Sequence, residues 1–90
     1  MKKIVHIITG LGSGGAEHML YRLLNYSDKE KYYHEVISLT NEGVYGKKIE
    51  DLGIKVHCLN LSGKNILSSI LKAKNISKDF DIVDTWLYLA

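Results

Sequence analysis

Apolar positions along the chain switch repeatedly between short continuous runs and helical spacing. Ile4, Val5, Ile7 and Ile8 are nearly continuous β-branched residues and predict a strand over roughly Lys3 to Thr9, covered on both faces. Ala16, Met19, Leu20, Leu23 and Leu24 then recur at i, i+3, i+4, i+7 and i+8, which predicts an amphipathic helix over about Ala16 to Asn25. Glu17 in its first turn suits the helix dipole. Val36, Ile37 and Leu39 mark a second strand, roughly His34 to Thr40, and Asn41-Glu42-Gly43 a turn. A short helix follows with Tyr45, Ile49 and Leu52 on one face, ended by Gly53 as a left-handed cap. Ile54, Val56 and Cys58 alternate with Lys55 and His57, the period-two pattern of a half-exposed edge strand from Ile54 to Leu59. After a loop at Leu61 to Lys64, a third helix is expected over about Asn65 to Lys78, with Ile66, Leu67, Ile70, Leu71 and Ala73 facing inward. Asp79-Phe80-Asp81 turns into a fourth strand, roughly Ile82 to Trp86.

Strict βαβαβαβ alternation predicts the α/β class: a parallel sheet with right-handed crossovers and helices on both faces, three layers in all. In a Rossmann-like, doubly wound sheet the first strand is central and the expected order is 3-2-1-4. Chain direction then reverses between strands one and four, and a crevice opens at their carboxyl ends. The loop from Thr9 to Gly15 and the segment Asp84-Thr85-Trp86-Leu87-Tyr88 would line it.

Ninety residues make a single small domain, and 46% apolar content supports a core. The net charge is +2 and the lysines are scattered, which argues against a nucleic-acid partner. Cys58 is the one cysteine, so no intramolecular disulfide forms, in keeping with a reducing cytosol. Lys2-Lys3 followed by apolar residues imitates a signal peptide, but the run Ile4 to Ile8 is too short and His6 interrupts it. No segment approaches the length of a membrane span. The sequon Asn75-Ile76-Ser77 falls within a predicted cytosolic helix.

The candidate chemistry begins at Gly10-Leu-Gly-Ser-Gly-Gly15, a glycine-rich turn between a first strand and a first helix. Such a turn presents bare backbone N–H groups at a helix N-terminus, an arrangement that suits phosphate. The spacing Gly10-x-Gly12-x-x-Gly15 also matches the dinucleotide fingerprint. That fingerprint requires an acidic residue at the end of strand two, ~20 residues on. Glu42 is the one candidate, and it lies past the strand, in a turn. A small NAD(P)-type nucleotide-binding module is therefore one alternative, and glycines that only make a tight turn are another. His6, inside a buried strand, reads as a satisfied core histidine, whereas His34 and His57 read as solvent-facing. The four histidines have no metal-ligand spacing among themselves or with Cys58. Tyr32 and Tyr33 precede strand two and would cover the sheet edge. Trp86 and Tyr88 could stack on a sugar or base, with Trp86 packed under the third helix as the alternative. No nucleophile–base pair is apparent, so no catalytic residue is identified.

Thr9-Gly-Leu-Gly-Ser-Gly-Gly-Ala-Glu17, directly after strand one, resembles the N-terminal loop of family-four retaining glycosyltransferases of the two-domain GT-B fold. Gly14-Gly15-Ala16-Glu17 is its most telling part. Asp81-Ile-Val-Asp-Thr-Trp-Leu-Tyr-Leu-Ala90 is similar to the same family's fourth-strand segment, so the resemblance covers essentially the whole chain. It implies the acceptor-side half of an enzyme that moves a sugar from a nucleotide-sugar to a carbohydrate or lipid-linked acceptor, in cell-envelope polysaccharide synthesis. By resemblance, Gly12, Ser13, Gly14 and Gly15 approach the donor phosphates, and Thr9, His18, Trp86 and Tyr88 line the acceptor side of the cleft. Neither metal nor cofactor is implied, because dipoles and basic side chains offset the leaving diphosphate's charge. Two positions depart from the pattern. His18 stands where the family commonly has a basic residue, and Leu89 where relatives with Thr-Trp-x-Tyr usually have a histidine close to the transferred sugar.

The resemblance further implies that the donor-binding domain, with its pair of glutamates, is absent. Residues 1–90 would then be a partial domain, truncated after the fourth strand and inactive alone. A fifth strand would normally flank the fourth. Without it an apolar edge stays open, which predicts self-association, and a fragment folded only as an oligomer is the third alternative. The expected compartment is the cytoplasm, at the inner membrane face if Lys72, Lys74 and Lys78 touch anionic lipid.

Overall fold

Seven elements alternate strictly in the computed structural model, which describes residues 2–10, 15–60, 64 and 66–86. They are β1 (Lys2–Ile8), α1 (Gly15–Tyr26), β2 (Tyr32–Ser38), α2 (Gly43–Glu50), β3 (Lys55–Cys58), α3 (Ile66–Ser77) and β4 (Ile82–Trp86). The strands form one sheet in the order β3-β2-β1-β4, and every neighbouring pair is parallel. Within the described residues this is the expected Rossmann-like arrangement, and the reversal between β1 and β4 is present. Residues 61–63 of the expected loop, together with Asn65, lie outside the described residues.

Each face of the sheet has its own core. On one face Ile8 and Val36 pack under Leu20 and Leu24 of α1, Ile49 of α2, and Ile54. On the other, Val5, Ile37 and Leu59 pack with Ala73 and Ile76 of α3 and with Phe80. β1 is buried from both sides, as its unbroken apolar run requires. Gly53 closes the α2 segment with φ +84° and its N–H on the Glu50 carbonyl, the left-handed cap that its position predicts.

Two expectations are corrected. Tyr32 and Tyr33 do not precede β2; they are its first rungs, paired with Lys2 and Lys3. The larger correction concerns α3. Ile66, Leu67, Ile70 and Leu71 are all exposed; Ala73 faces the sheet as expected, but its companions there are Ser69 and Ile76. Both stripes have helical spacing, so periodicity alone selects the more apolar one. What sets the rotation is the connection to β4. Phe80 N–H bonds the Ser77 carbonyl and Asp81 N–H bonds the Lys3 carbonyl at 2.8 Å. Phe80 is thereby held over the sheet, stacked on Tyr33 beside the Lys3 ammonium. Counting back from that anchor, the inward positions are 76, 73 and 69.

This rotation also buries the Ser77 hydroxyl without a hydrogen-bond partner among the described residues. A buried hydroxyl with no partner is a desolvation cost with no return. Ser77→Ala is therefore expected to stabilise the fold by about 1 kcal/mol, read as a higher urea midpoint.

Candidate functional site

The carboxyl ends of β1 and β4 lie side by side, with Ile8 opposite Trp86. Just beyond β1, the Leu39 N–H reaches the Ile8 carbonyl, and the Thr40 hydroxyl donates to the Thr9 carbonyl at 2.9 Å. Gly10 is glycine for a local reason: a Cβ there would come within 2.6 Å of the Thr40 hydroxyl oxygen. Gly10→Ala should force that hydroxyl away, cost its hydrogen bond, and lower stability by roughly 1 kcal/mol in urea denaturation. Gly15 opens α1, and among the described residues nothing lies within 4 Å of the position a Cβ would take there. Gly12, Ser13, Gly14 and Tyr88, with Leu89, lie outside the described residues.

Of the other expected site residues, Thr9 is exposed at the end of the sheet. His18 is tied to α2: its Nδ1 lies 3.0 Å from the Tyr45 hydroxyl, and the two rings meet edge to face. Trp86 is half-buried on the α1 face of the sheet and packs against the Ile8–Leu20–Leu24 cluster. The alternative in which it packs under the third helix is thereby overturned, since residues 82, 84 and 86 share the face that α1 covers.

Sequence reasoning missed a buried polar chain beneath this point. His6 Nε2 lies 2.9 Å from His34 Nδ1, and His34 Nε2 lies 2.7 Å from the Ser27 hydroxyl. At the other side of the His6 ring, Nδ1 is 3.3 Å from Asp84 Oδ2 and 3.3 Å from the Trp86 indole nitrogen. His6 is satisfied, as expected, but His34 is buried at 5% exposure rather than solvent-facing. Burial pushes the His6 imidazole below its ordinary value against the pull of Asp84. Burial, reinforced by His6 and Lys29, takes His34 down to about 4. Both shifts favour the uncharged form of the rings. No short-range motif announces this chain. Parallel register brings it together: Ile4 lies opposite His34 and His6 opposite Val36, so the two histidines are diagonal neighbours on one face.

His57 is likewise not free in solvent. Its Nε2 sits 2.6 Å from Glu35, which also accepts from the Tyr33 hydroxyl. Burial pushes the Glu35 carboxyl up, but the hydrogen bonds from His57 and Tyr33 outweigh it and hold it below its ordinary range.

Two adjoining hollows run along the flank of α1. One, about 400 Å³, is bounded by Met19, Arg22, Leu23, Tyr26 and Trp86. The next, about 470 Å³, has Ile4, Ser27 and His34 in its lining. A larger polar hollow of about 710 Å³, lined by Lys2, Glu30, Lys31, Tyr32 and Asp81, lies at the opposite, amino end of the sheet. Lys72, Lys74 and Lys78 are exposed. Among the described residues no group of His, Cys, Asp or Glu could hold a metal ion, and no helix is long and apolar enough to cross a membrane. In comparison with known proteins, the chain matches no family model, and no curated protein or solved structure is significantly similar to it.

Proposed function

We propose that the chain forms the acceptor-side lobe of a GT-B glycosyltransferase of the family-four type, transferring a sugar from a nucleotide-sugar to a carbohydrate or lipid-linked acceptor. The observation that supports this reading is the open side-chain position at Gly15, the first residue of α1, in the crossover that follows the central strand β1. Backbone amides there can meet a diphosphate held by a second lobe, with the helix dipole adding to the attraction. Thr9 and Trp86 stand at the carboxyl ends of β1 and β4, a placement that suits contact with an acceptor. The dinucleotide reading has less support, because Glu42 caps α2 beyond the end of β2, where a ribose would not reach it in the usual way.

The lobe alone has no transferase activity in this reading, since the donor-binding half is a separate domain. It acts at the cytoplasmic membrane face, with Lys72, Lys74 and Lys78 toward anionic lipid. Among the described residues β4 pairs on one side alone, with β1, and Ile82 and Val83 are exposed, which supports pairing of two copies of the chain. Size-exclusion with light scattering should show that pairing, and a monomer at every concentration rejects it.

The test of the main reading is amide-resolved titration with nucleoside diphosphates and, separately, with NAD. Millimolar nucleoside diphosphate should shift the Gly15 and Ala16 amides and leave β3 unmoved. Tighter binding of NAD at those amides would favour a dinucleotide module. No shift with either ligand would remove the phosphate site.

A further inference from the structure

The chain Asp84–His6–His34–Ser27 has a property that neither a plain core contact nor the transferase reading explains. A neutral imidazole carries one N–H and one lone pair, and the choice at one nitrogen fixes the other. His6 Nδ1 has two competitors at the same 3.3 Å: the Asp84 carboxylate, which can only accept, and the Trp86 indole N–H, which can only donate. It can serve one of them at a time.

The choice propagates. If Nδ1–H of His6 donates to Asp84, then His6 Nε2 must accept from His34 Nδ1–H, and His34 Nε2 must accept from the Ser27 hydroxyl. If His6 Nδ1 accepts from Trp86 instead, Nε2–H donates to His34 Nδ1, and His34 Nε2–H donates to Ser27. Both arrangements leave each ring neutral, and the number of protons is the same. Both rings carry Nδ1–H in the first state and Nε2–H in the second.

We infer that His6 and His34 form a two-state relay in which the charge on Asp84 sets the tautomer of both rings, and with it whether Trp86 is held by a hydrogen bond and whether Ser27 donates or accepts. The geometry suits a relay. Asp84 lies on β4 with its side chain 46% exposed, where solvent ions or a ligand can reach it. The two rings are buried and nearly coplanar, 25° apart with centroids 5.1 Å apart, and they join edge to edge through the direct 2.9 Å contact. Facing the pair are Asp84 and Trp86 from β4, Ser27 and Lys29 from the α1–β2 connection, and the Tyr32 ring from β2. Asp84 is the one anionic group among these. A carboxylate accepts a charge-assisted bond, which favours the Nδ1–H state. Loss of that charge leaves the indole as the better partner.

The relay does not depend on the transferase reading, and no nucleotide or sugar enters its test. Long-range ¹H–¹⁵N spectra of the labelled chain at neutral pH report the protonated nitrogen of each histidine. The expected result is Nδ1–H on both His6 and His34, with a scalar coupling across the bond between them. In Asp84→Ala both rings should switch to Nε2–H, and the Trp86 indole proton should move downfield as it gains its bond. Opposite tautomers in the wild-type chain overturn the inference, and that measurement stands whether or not the variant folds. A variant that folds but changes His6 alone, or leaves the indole resonance in place, overturns it as well.

Discussion

Acidification is expected to destabilise this fold steeply between pH 6.5 and about 4, above the range in which most carboxylates titrate. The buried pair is the cause. His34 has its folded-state value depressed by burial, by His6 and by Lys29, and His6 is depressed by burial. A histidine whose folded value lies below its unfolded one favours folding only while neutral. The contribution is fully present above 6.5 and is lost as the pH falls toward the folded value. At about 1.4 kcal/mol per unit, and with allowance for partial solvation of the ring, His34 alone accounts for about 2 kcal/mol. That is a large share of the roughly 5–10 kcal/mol expected of a chain this size. Glu35 adds a second loss at lower pH, because its carboxyl is held below the ordinary range by His57 and Tyr33 and protonation forfeits that advantage. Urea midpoints by circular dichroism across the range would check this. A midpoint that stays level from neutrality to about pH 4 would refute it.

The second large effect separates two adjacent leucines. Leu24 is fully buried against the sheet, and Leu23 beside it is 42% exposed on the flank of α1. Leu24→Ala should cost roughly 3 kcal/mol, the transfer term plus a cavity under α1. In a domain of this size that lowers Tm by on the order of 15 °C. Leu23→Ala should cost less than about 1 kcal/mol. Similar losses at both positions would mean that α1 is covered on its flank in solution, as an associated copy would do.

Hydrophobic spacing carried the element boundaries to within a few residues, because a parallel sheet buried on both faces needs unbroken apolar strands, and the doubly wound topology supplied the strand order. The ends of β4 agree with the reading from Ile82 to Trp86. The face of α3 was not legible. Ala73 faces inward as read, but Ile66, Leu67, Ile70 and Leu71 outcompete Ser69 on any hydropathy count, and the rotation is fixed by Phe80, which lies outside the helix. The histidine chain was hidden for a related reason. His6 and His34 are 28 residues apart, and only the register of β1 on β2 makes them neighbours. Once strand faces are assigned, polar residues at inward positions of adjacent strands are a signal that could have found them. The side-by-side carboxyl ends of β1 and β4 followed from topology, whereas His18 is occupied with Tyr45 of α2, a contact that no local pattern signals.

The central position of β1 bears on how the molecule assembles during synthesis. β1 is made first, and one of its two neighbours, β4, follows 78 residues later, as the pairing of His6 with Asp84 records. Until that strand leaves the ribosome, one side of β1 has open amides and carbonyls and Val5 lacks part of its surroundings. Nascent chains should therefore stay protease-sensitive and bound by chaperones until Trp86 emerges, and then become protected in one late step.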